Sequence, residues 1–185
     1  MLTPNGLRVG DYDLVYAGGT PDRLRALESG AVQGAMLTQP FEFAARRSGY
    51  PLLLDSTQYV TSLPFSAFAV TRTWLGNAIN RAKAVRWLAA VYRGSQGLCD
   101  PSQKEAMIRI LADETKLTDE DARLTYGLLL EDKHSVKCDL NLRPEELQQV
   151  IDYIVEMGDM APPLPDPHRI ADSSYLDQAI ASLRR

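Results

Sequence analysis

Three short β-rich runs, separated by helix-like stretches, occupy the first 55 residues and limit the folds open to this chain. They are Asp13 to Ala17, Ala31 to Thr38 and Pro51 to Asp55. Gly18-Gly19 closes the first run and Gln39-Pro40 the second, as turn residues do. Strands that alternate with helices through short turns favour a parallel sheet covered by helices. The sequence therefore predicts an α/β fold for this part of the chain.

Beyond residue 74 the pattern becomes mainly helical. A long amphipathic helix is predicted from Trp74 to Leu98 with a break near Asn77, because its apolar residues recur at helical spacing. Capping signals predict four more helices, which begin at or after Asp100, Thr118, Arg143 and Asp172. Phe65 to Thr71 is expected to add a fourth strand. Four strands are few for these helices, so the rest of the sheet is expected before Met1.

Composition excludes several classes of function. The 185 residues carry 20 basic and 24 acidic side chains, a formal net charge of -4, which does not suggest a nucleic-acid surface. No apolar run is long enough to span a membrane. The N-terminal residues lack the charged and apolar regions of a secretory signal. A cytosolic protein, a removed signal and a fragment therefore all stay open.

Residues that could carry catalysis or bind metal are scattered. No nucleophile elbow, phosphate-binding loop, zinc-protease helix or dinucleotide fingerprint occurs, so neither a catalytic set nor a cofactor is predicted. His134 and His168 are expected to be solvated surface residues. Cys99 and Cys138 lie too far apart for a zinc motif. Two free, partly buried thiols are the favoured interpretation, and a disulfide formed in an oxidising compartment stays open.

The carboxyl ends of the first two predicted strands form the best candidate site. Gly18 and Gly19 permit close approach of a ligand to the backbone, and the helix that starts at Thr20 offers free N–H groups to an anion. Thr38 and Gln39 add a hydroxyl and an amide. Ligands of open parallel sheets bind beyond the carboxyl ends of strands. The two segments are therefore expected to meet at one edge of the sheet.

The ordered series from Gly6 to Asp55 resembles a known family. Its members are the substrate-binding proteins of ABC importers for nitrate, sulfonates, taurine and thiamine-pyrimidine precursors. The likeness includes Gly6-Leu7, Ala26 to Gly30, Pro40 and Leu53 to Asp55, and extends diffusely to Asp172 to Tyr175. Gln33-Gly34 departs from the family's usual Asp-Ala at that point. Family members are also much longer, so this chain resembles only their later part.

The resemblance implies a type II periplasmic-binding-protein fold, here a partial two-lobed α/β sandwich with a helical C-terminal part. Residues 1–59 would form the later half of lobe two, residues 60–66 the hinge, and residues 67–185 the C-terminal part of lobe one. Lobe-two ligand contacts would come from Gly18, Gly19, Thr38, Gln39 and Pro40. Tyr59, Thr61 and Ser62 would be candidates on the hinge side.

The function implied by the resemblance is non-catalytic binding of a small polar or anionic organic solute in a cleft between lobes. Such a protein would work in the periplasm, or attached to the extracytoplasmic side of the membrane, and deliver its ligand to ABC importer membrane subunits. Two alternatives stay open: a thiamine-pyrimidine-precursor synthase of the same fold, and a cytoplasmic ligand-sensing domain. Exposed strand edges would also favour a homodimer if the chain is complete as given.

Overall fold

The computed structural model of the protein describes residues 2–8, 10–59, 67–132 and 136–184, and in this part of the chain the regular structure is helical. The α-helices are α1 (Thr20–Glu28), α2 (Phe41–Arg47), α3 (Arg72–Leu75), α4 (Ala78–Cys99), α5 (Lys104–Thr115), α6 (Asp119–Tyr126), α7 (Pro144–Glu156), α8 (Pro167–Ile170) and α9 (Ser174–Leu183). Short 3-10 turns occur at Thr3–Asn5, Ser56–Gln58 and Pro101–Gln103, and a π-helical turn at Gly127–Asp132 continues α6.

Most of the predicted helix boundaries are confirmed because capping acts locally. The exceptions are α5, which begins at Lys104 after a 3-10 turn, and α8, which was not predicted. The break near Asn77 separates α3 from α4, and the Asn77 side chain accepts a hydrogen bond from the Ile79 N–H at 2.8 Å. Thr118 caps α6 by accepting from the Asp121 N–H at 3.1 Å. Asp100 accepts from the Ser102 N–H at 2.9 Å. Each cap satisfies a backbone donor that the first helical turn leaves unpaired.

The predicted α/β fold is wrong for the described residues, which contain no strand and no sheet. The three β-rich runs are irregular segments whose backbones form no ladder, so the partial two-lobed sandwich is also wrong. Leu14, Tyr16 and Leu53 expose 69%, 91% and 76% of their surface. Strand propensity produces a sheet only where a neighbouring strand accepts the backbone hydrogen bonds and covers the side chains.

The chain divides into two compact units. The first unit comprises Met1–Val60 and Ile108–His134, and the second comprises Thr61–Met107 and Ser135–Arg185. Buried apolar residues of the first unit are Leu24, Ala45, Ile108, Ala112, Ala122 and Tyr126. In the second unit α9 packs against α4. The small, buried Ala89 and Ala179 in these two helices permit that close approach.

A disulfide bond joins Cys99, the last residue of α4, to Cys138 in the second unit. The favoured sequence interpretation of two free thiols is therefore wrong, and the alternative that was left open is confirmed. The Ser95 hydroxyl and the Gln96 amide donate to the Cys138 carbonyl oxygen at 3.1 and 2.7 Å. Two hydrogen bonds therefore join α4 to Cys138 in addition to the covalent bond.

Candidate functional site

Two of the predicted ligand-binding segments meet in the first unit. The Thr20 and Thr38 hydroxyl oxygens lie 3.3 Å apart, within hydrogen-bond distance, although 18 residues separate them in sequence. Both side chains are half-buried, whereas Gly18 and Gly19 are exposed beside them. We call Gly18, Gly19, Thr20, Thr38, Gln39 and Pro40 the threonine cluster. The segments converge without the sheet that sequence reasoning expected to align them.

Arg23 holds the two segments of the threonine cluster together, and sequence reasoning missed it. Its Nε donates to the Gly18 carbonyl oxygen at 2.9 Å. An Nη1 of the same guanidinium donates to the Met36 carbonyl oxygen at 3.4 Å. The fixed fork of guanidinium donors can satisfy both carbonyls at once. No sequence signal marks this role, because a helical arginine commonly faces solvent.

The start of α1 offers fewer N–H groups than the sequence suggested. Pro21 has none, and the N–H groups of Asp22 and Arg23 already donate to the Gly19 carbonyl oxygen at 3.0 Å. Within the described part of the chain, the Gly19 and Thr20 N–H groups stay uncommitted. The Asp22 carboxylate lies against Gly18, where an added Cβ would meet its Oδ2 at 3.1 Å. The same carboxylate pairs with the Arg25 guanidinium, which offsets its charge.

The second segment of the cluster is polar and leads directly into α2. The Gln39 amide nitrogen donates to Glu42 Oε2 at 3.2 Å, and the Gln39–Pro40 peptide bond is cis. The Thr38 carbonyl oxygen accepts from the Phe41 and Glu42 N–H groups at 3.0 and 3.3 Å. The Glu42 carboxylate therefore adjoins the Gln39 end of the cluster, and the Asp22 carboxylate adjoins its Gly18 end. This arrangement suits a polar ligand that can donate hydrogen bonds.

The remaining predicted residues lie elsewhere. Tyr59 accepts a hydrogen bond from the Asn5 amide at 2.6 Å and contacts no member of the threonine cluster by a described hydrogen bond. Thr61 and Ser62, like the hinge at 60–66 and His134, fall outside the described residues. His168 is exposed in α8, as expected of a solvated surface residue.

An ion pair fixes α2, and with it the second segment of the cluster, to α6. The Arg47 guanidinium donates two hydrogen bonds to the Asp121 carboxylate, at 2.6 and 3.0 Å. Asp121 is buried, whereas the Arg47 side chain is half-exposed. The hydrogen bonds from Arg47 lower the pKa of Asp121 more than burial raises it, and the Thr118 hydroxyl lowers it further. The sequence held no signal that these two residues would pair.

Thr125, four residues after Asp121 in α6, carries a buried hydroxyl. It is 6% exposed, and its oxygen has no hydrogen-bond partner among the described residues. Because an unpaired buried hydroxyl is destabilising, we expect Thr125→Val to raise the free energy of unfolding by about 1 kcal/mol. Urea unfolding would measure the change. Thr115→Val, which removes a hydroxyl that donates to the Leu111 carbonyl, is the matched control and should not stabilise. Equal or lower stability of Thr125→Val would contradict this expectation.

The described residues include neither a helix long and apolar enough to cross a membrane nor a group of three side chains suited to hold a metal ion. The groups at and beside the threonine cluster are hydroxyls, an amide, carboxylates and guanidinium groups. Comparison of the chain with protein-family models, with curated proteins and with solved structures gave no match.

Proposed function

We propose that the chain binds a small polar organic solute non-covalently at the threonine cluster. The observation that carries this proposal is the 3.3 Å approach of the Thr20 and Thr38 hydroxyls. It places side chains from two separate segments, each selected from the sequence for ligand contact, at a single point of the surface. Two exposed glycines adjoin them, so a ligand can reach the backbone N–H groups of Gly19 and Thr20.

The hydrogen-bonding groups around the cluster support a polar ligand. Asp22 and Glu42 bring carboxylate acceptors to it, each paired with an arginine of its own helix, Arg25 and Arg46. A ligand with hydroxyl, amide or amine donors would meet acceptors there. Among the solutes that the resemblance suggests, pyrimidine precursors and taurine, through its ammonium group, carry such donors, whereas nitrate and simple alkanesulfonates carry none.

We propose that the chain works outside the cytoplasm and transfers its ligand to ABC importer membrane subunits. The Cys99–Cys138 disulfide supports this location, because structural disulfides persist mainly in oxidising compartments. Catalysis forms no part of the proposal. The cluster contains no nucleophile hydrogen-bonded to a base that would activate it.

A thermal-shift panel of pyrimidines, aromatic carboxylates, sulfonates and nitrate tests this proposal. A ligand that binds the native state stabilises it by about 2.7 kcal/mol at 100 times its Kd. We expect a pyrimidine or another donor-bearing solute to raise Tm, and nitrate to have the smallest effect. Failure of every compound to raise Tm would count against solute binding at this site.

The double variant Thr20→Val/Thr38→Val links any binding to the cluster. Valine keeps the shape of threonine and removes only the hydroxyl. We therefore expect the Kd of the stabilising ligand to rise about tenfold or more, since each lost hydrogen bond contributes about 1 kcal/mol. Isothermal titration calorimetry measures this directly. Thr73→Val, at an exposed position of α3, is the control, and unchanged affinity in the double variant would place the ligand elsewhere.

A further inference from the structure

One face of α4 is exposed along the whole helix and is positively charged. Ile79, Lys83, Arg86, Trp87, Ala90 and Arg93 share it at helical spacing, and all are exposed. The side chains of Lys83, Arg86 and Arg93 pair with no described residue, and α4 contains no acidic residue. We call these six residues the cationic face. A cluster of unpaired positive charge on a protein of net charge -4 indicates an acidic partner.

An acidic face of similar size lies on α7 in the same unit. Glu145, Gln149, Asp152, Tyr153, Glu156 and Met157, the residue that ends the helix, follow one another at helical spacing and are exposed. Glu145 and Glu156 pair with no described residue, and Asp152 accepts only from the Gln148 amide, at 2.8 Å. No cation lies among these six residues, which we call the acidic face.

The charges of the two faces match in spacing. Arg86 and Arg93 are seven residues apart, as are Asp152 and Glu145. Seven residues span two helical turns, or about 10.5 Å. Antiparallel helices that place Arg86 opposite Asp152 therefore also place Arg93 opposite Glu145.

The third charge of each face distinguishes the two orientations. In the antiparallel register Lys83 comes beside Glu156, so all three charges of each face are paired. In a parallel register that pairs Arg86 with Glu145 and Arg93 with Asp152, Lys83 would lie opposite Leu142 and Glu156 opposite Gly97. The antiparallel arrangement is therefore favoured.

Apolar side chains between the charges add contact area. Trp87 and Ile79 expose 47% and 66% of their surface on the cationic face, and Tyr153 and Met157 expose 40% and 66% on the acidic face. In the antiparallel register Trp87 comes near Tyr153, and Ile79 lies toward Met157. A groove of about 730 Å³ between α4 and α9, lined in part by Ile79 and Arg86, can receive side chains of a partner. Aromatic groups and arginine are enriched at protein interfaces.

We propose that two copies of this chain associate through these faces, with α4 of one copy antiparallel to α7 of the other. A second copy presents both faces, so it supplies the oppositely charged complement of either one. Exposed ion pairs are individually weak, and the dimer is accordingly concentration-dependent and salt-sensitive. This surface lies in the second unit and does not depend on solute binding at the threonine cluster.

The dimer is tested by reversing the charges of one face at a time and by mixing the two resulting variants. Sedimentation velocity over a range of protein concentrations measures self-association. Lys83→Glu/Arg86→Glu/Arg93→Glu should weaken self-association about tenfold or more, and Glu145→Lys/Asp152→Lys/Glu156→Lys should do the same. An equimolar mixture of the two triple variants should associate again, because each then presents the charges that the other lacks. About 1 M NaCl, where the screening length falls to about 3 Å, should dissociate the wild-type dimer.

Arg8→Glu/Arg109→Glu/Arg184→Glu is the matched control, since it changes the net charge equally at exposed arginines outside both faces. It should self-associate like the wild type, and circular dichroism verifies that every variant is folded. A wild type that stays monomeric at low salt would overturn the proposal. So would failure of the mixed variants to associate, or a monomeric wild type that binds anionic phosphatidylglycerol vesicles through the cationic face.

Discussion

Replacing Cys99 and Cys138 by alanine should lower the free energy of unfolding of the second unit by about 4 kcal/mol. The two cysteines are 39 residues apart in sequence, and a covalent link between them removes many conformations from the unfolded chain. The span includes residues 108–134, which belong to the first unit. Urea denaturation of the oxidised wild type and of the double variant measures the difference.

Two comparisons isolate the disulfide from the loss of the side chains. Reduced wild-type protein should resemble the double variant, and reductant should leave the variant unchanged. The hydrogen bonds from Ser95 and Gln96 to the Cys138 carbonyl persist in both, so α4 should keep its helical signal. Equal stability of oxidised and reduced wild-type protein would show that the bond does not stabilise the second unit.

Asp121→Asn should lower the free energy of unfolding by about 1–2 kcal/mol at neutral pH. The substitution removes the charge that accepts two hydrogen bonds from Arg47, and charge-assisted bonds are stronger than neutral ones. The half-exposed Arg47 side chain keeps the effect moderate, because water screens the pair. Asp119→Asn, an exposed acidic residue in the same helical turn, is the matched control and should change stability little.

The pH dependence of the same variant checks the cause. The pKa of Asp121 is lower in the folded protein than in the unfolded chain, so its contribution is complete above the unfolded value of about 3.9. It is lost as the pH falls toward the folded-state value. The difference in free energy of unfolding between wild type and Asp121→Asn should therefore narrow on acidification. A gap that stays constant down to pH 2 would show that the carboxylate charge is not the cause.

Glu146 should add to the acid sensitivity of the second unit. Burial raises the pKa of Glu146, but hydrogen bonds from the Lys137 ammonium and the Arg143 backbone N–H outweigh it, and the net pKa is lowered. Its stabilising contribution is consequently present above its unfolded pKa of about 4.3 and lost below it. Acidification of wild-type protein thus protonates a buried carboxylate in each unit, Asp121 in the first and Glu146 in the second, and both protonations favour unfolding.

The helices were predictable because the signals that start and stop them are local. Asn77, Thr118 and Asp172 each place a side-chain acceptor within two or three residues of the donor that they satisfy. Gly30 and Gly49, with φ of 73° and 88°, follow α1 and α2 in a conformation that glycine adopts without strain. Such contacts need no knowledge of the rest of the chain.

The sheet was wrongly predicted because pairing of strands is not local. Asp13 to Ala17 has strand propensity, but no described segment accepts its backbone hydrogen bonds or covers Leu14 and Tyr16. The same residues in another tertiary context would form a strand. The candidate site was selected as the carboxyl ends of two strands that the described residues do not form, yet its two segments still meet. Their approach is made by Arg23 and the two threonines instead of a sheet edge.

The sequence by itself determined where most of the helices begin and end. Tertiary structure alone decided which distant groups meet. Arg47 pairs with Asp121 across 74 residues, and Cys99 bonds Cys138 across 39. The physical reason is that helical periodicity and capping act over a few residues, whereas contacts between remote residues depend on the path of the whole chain.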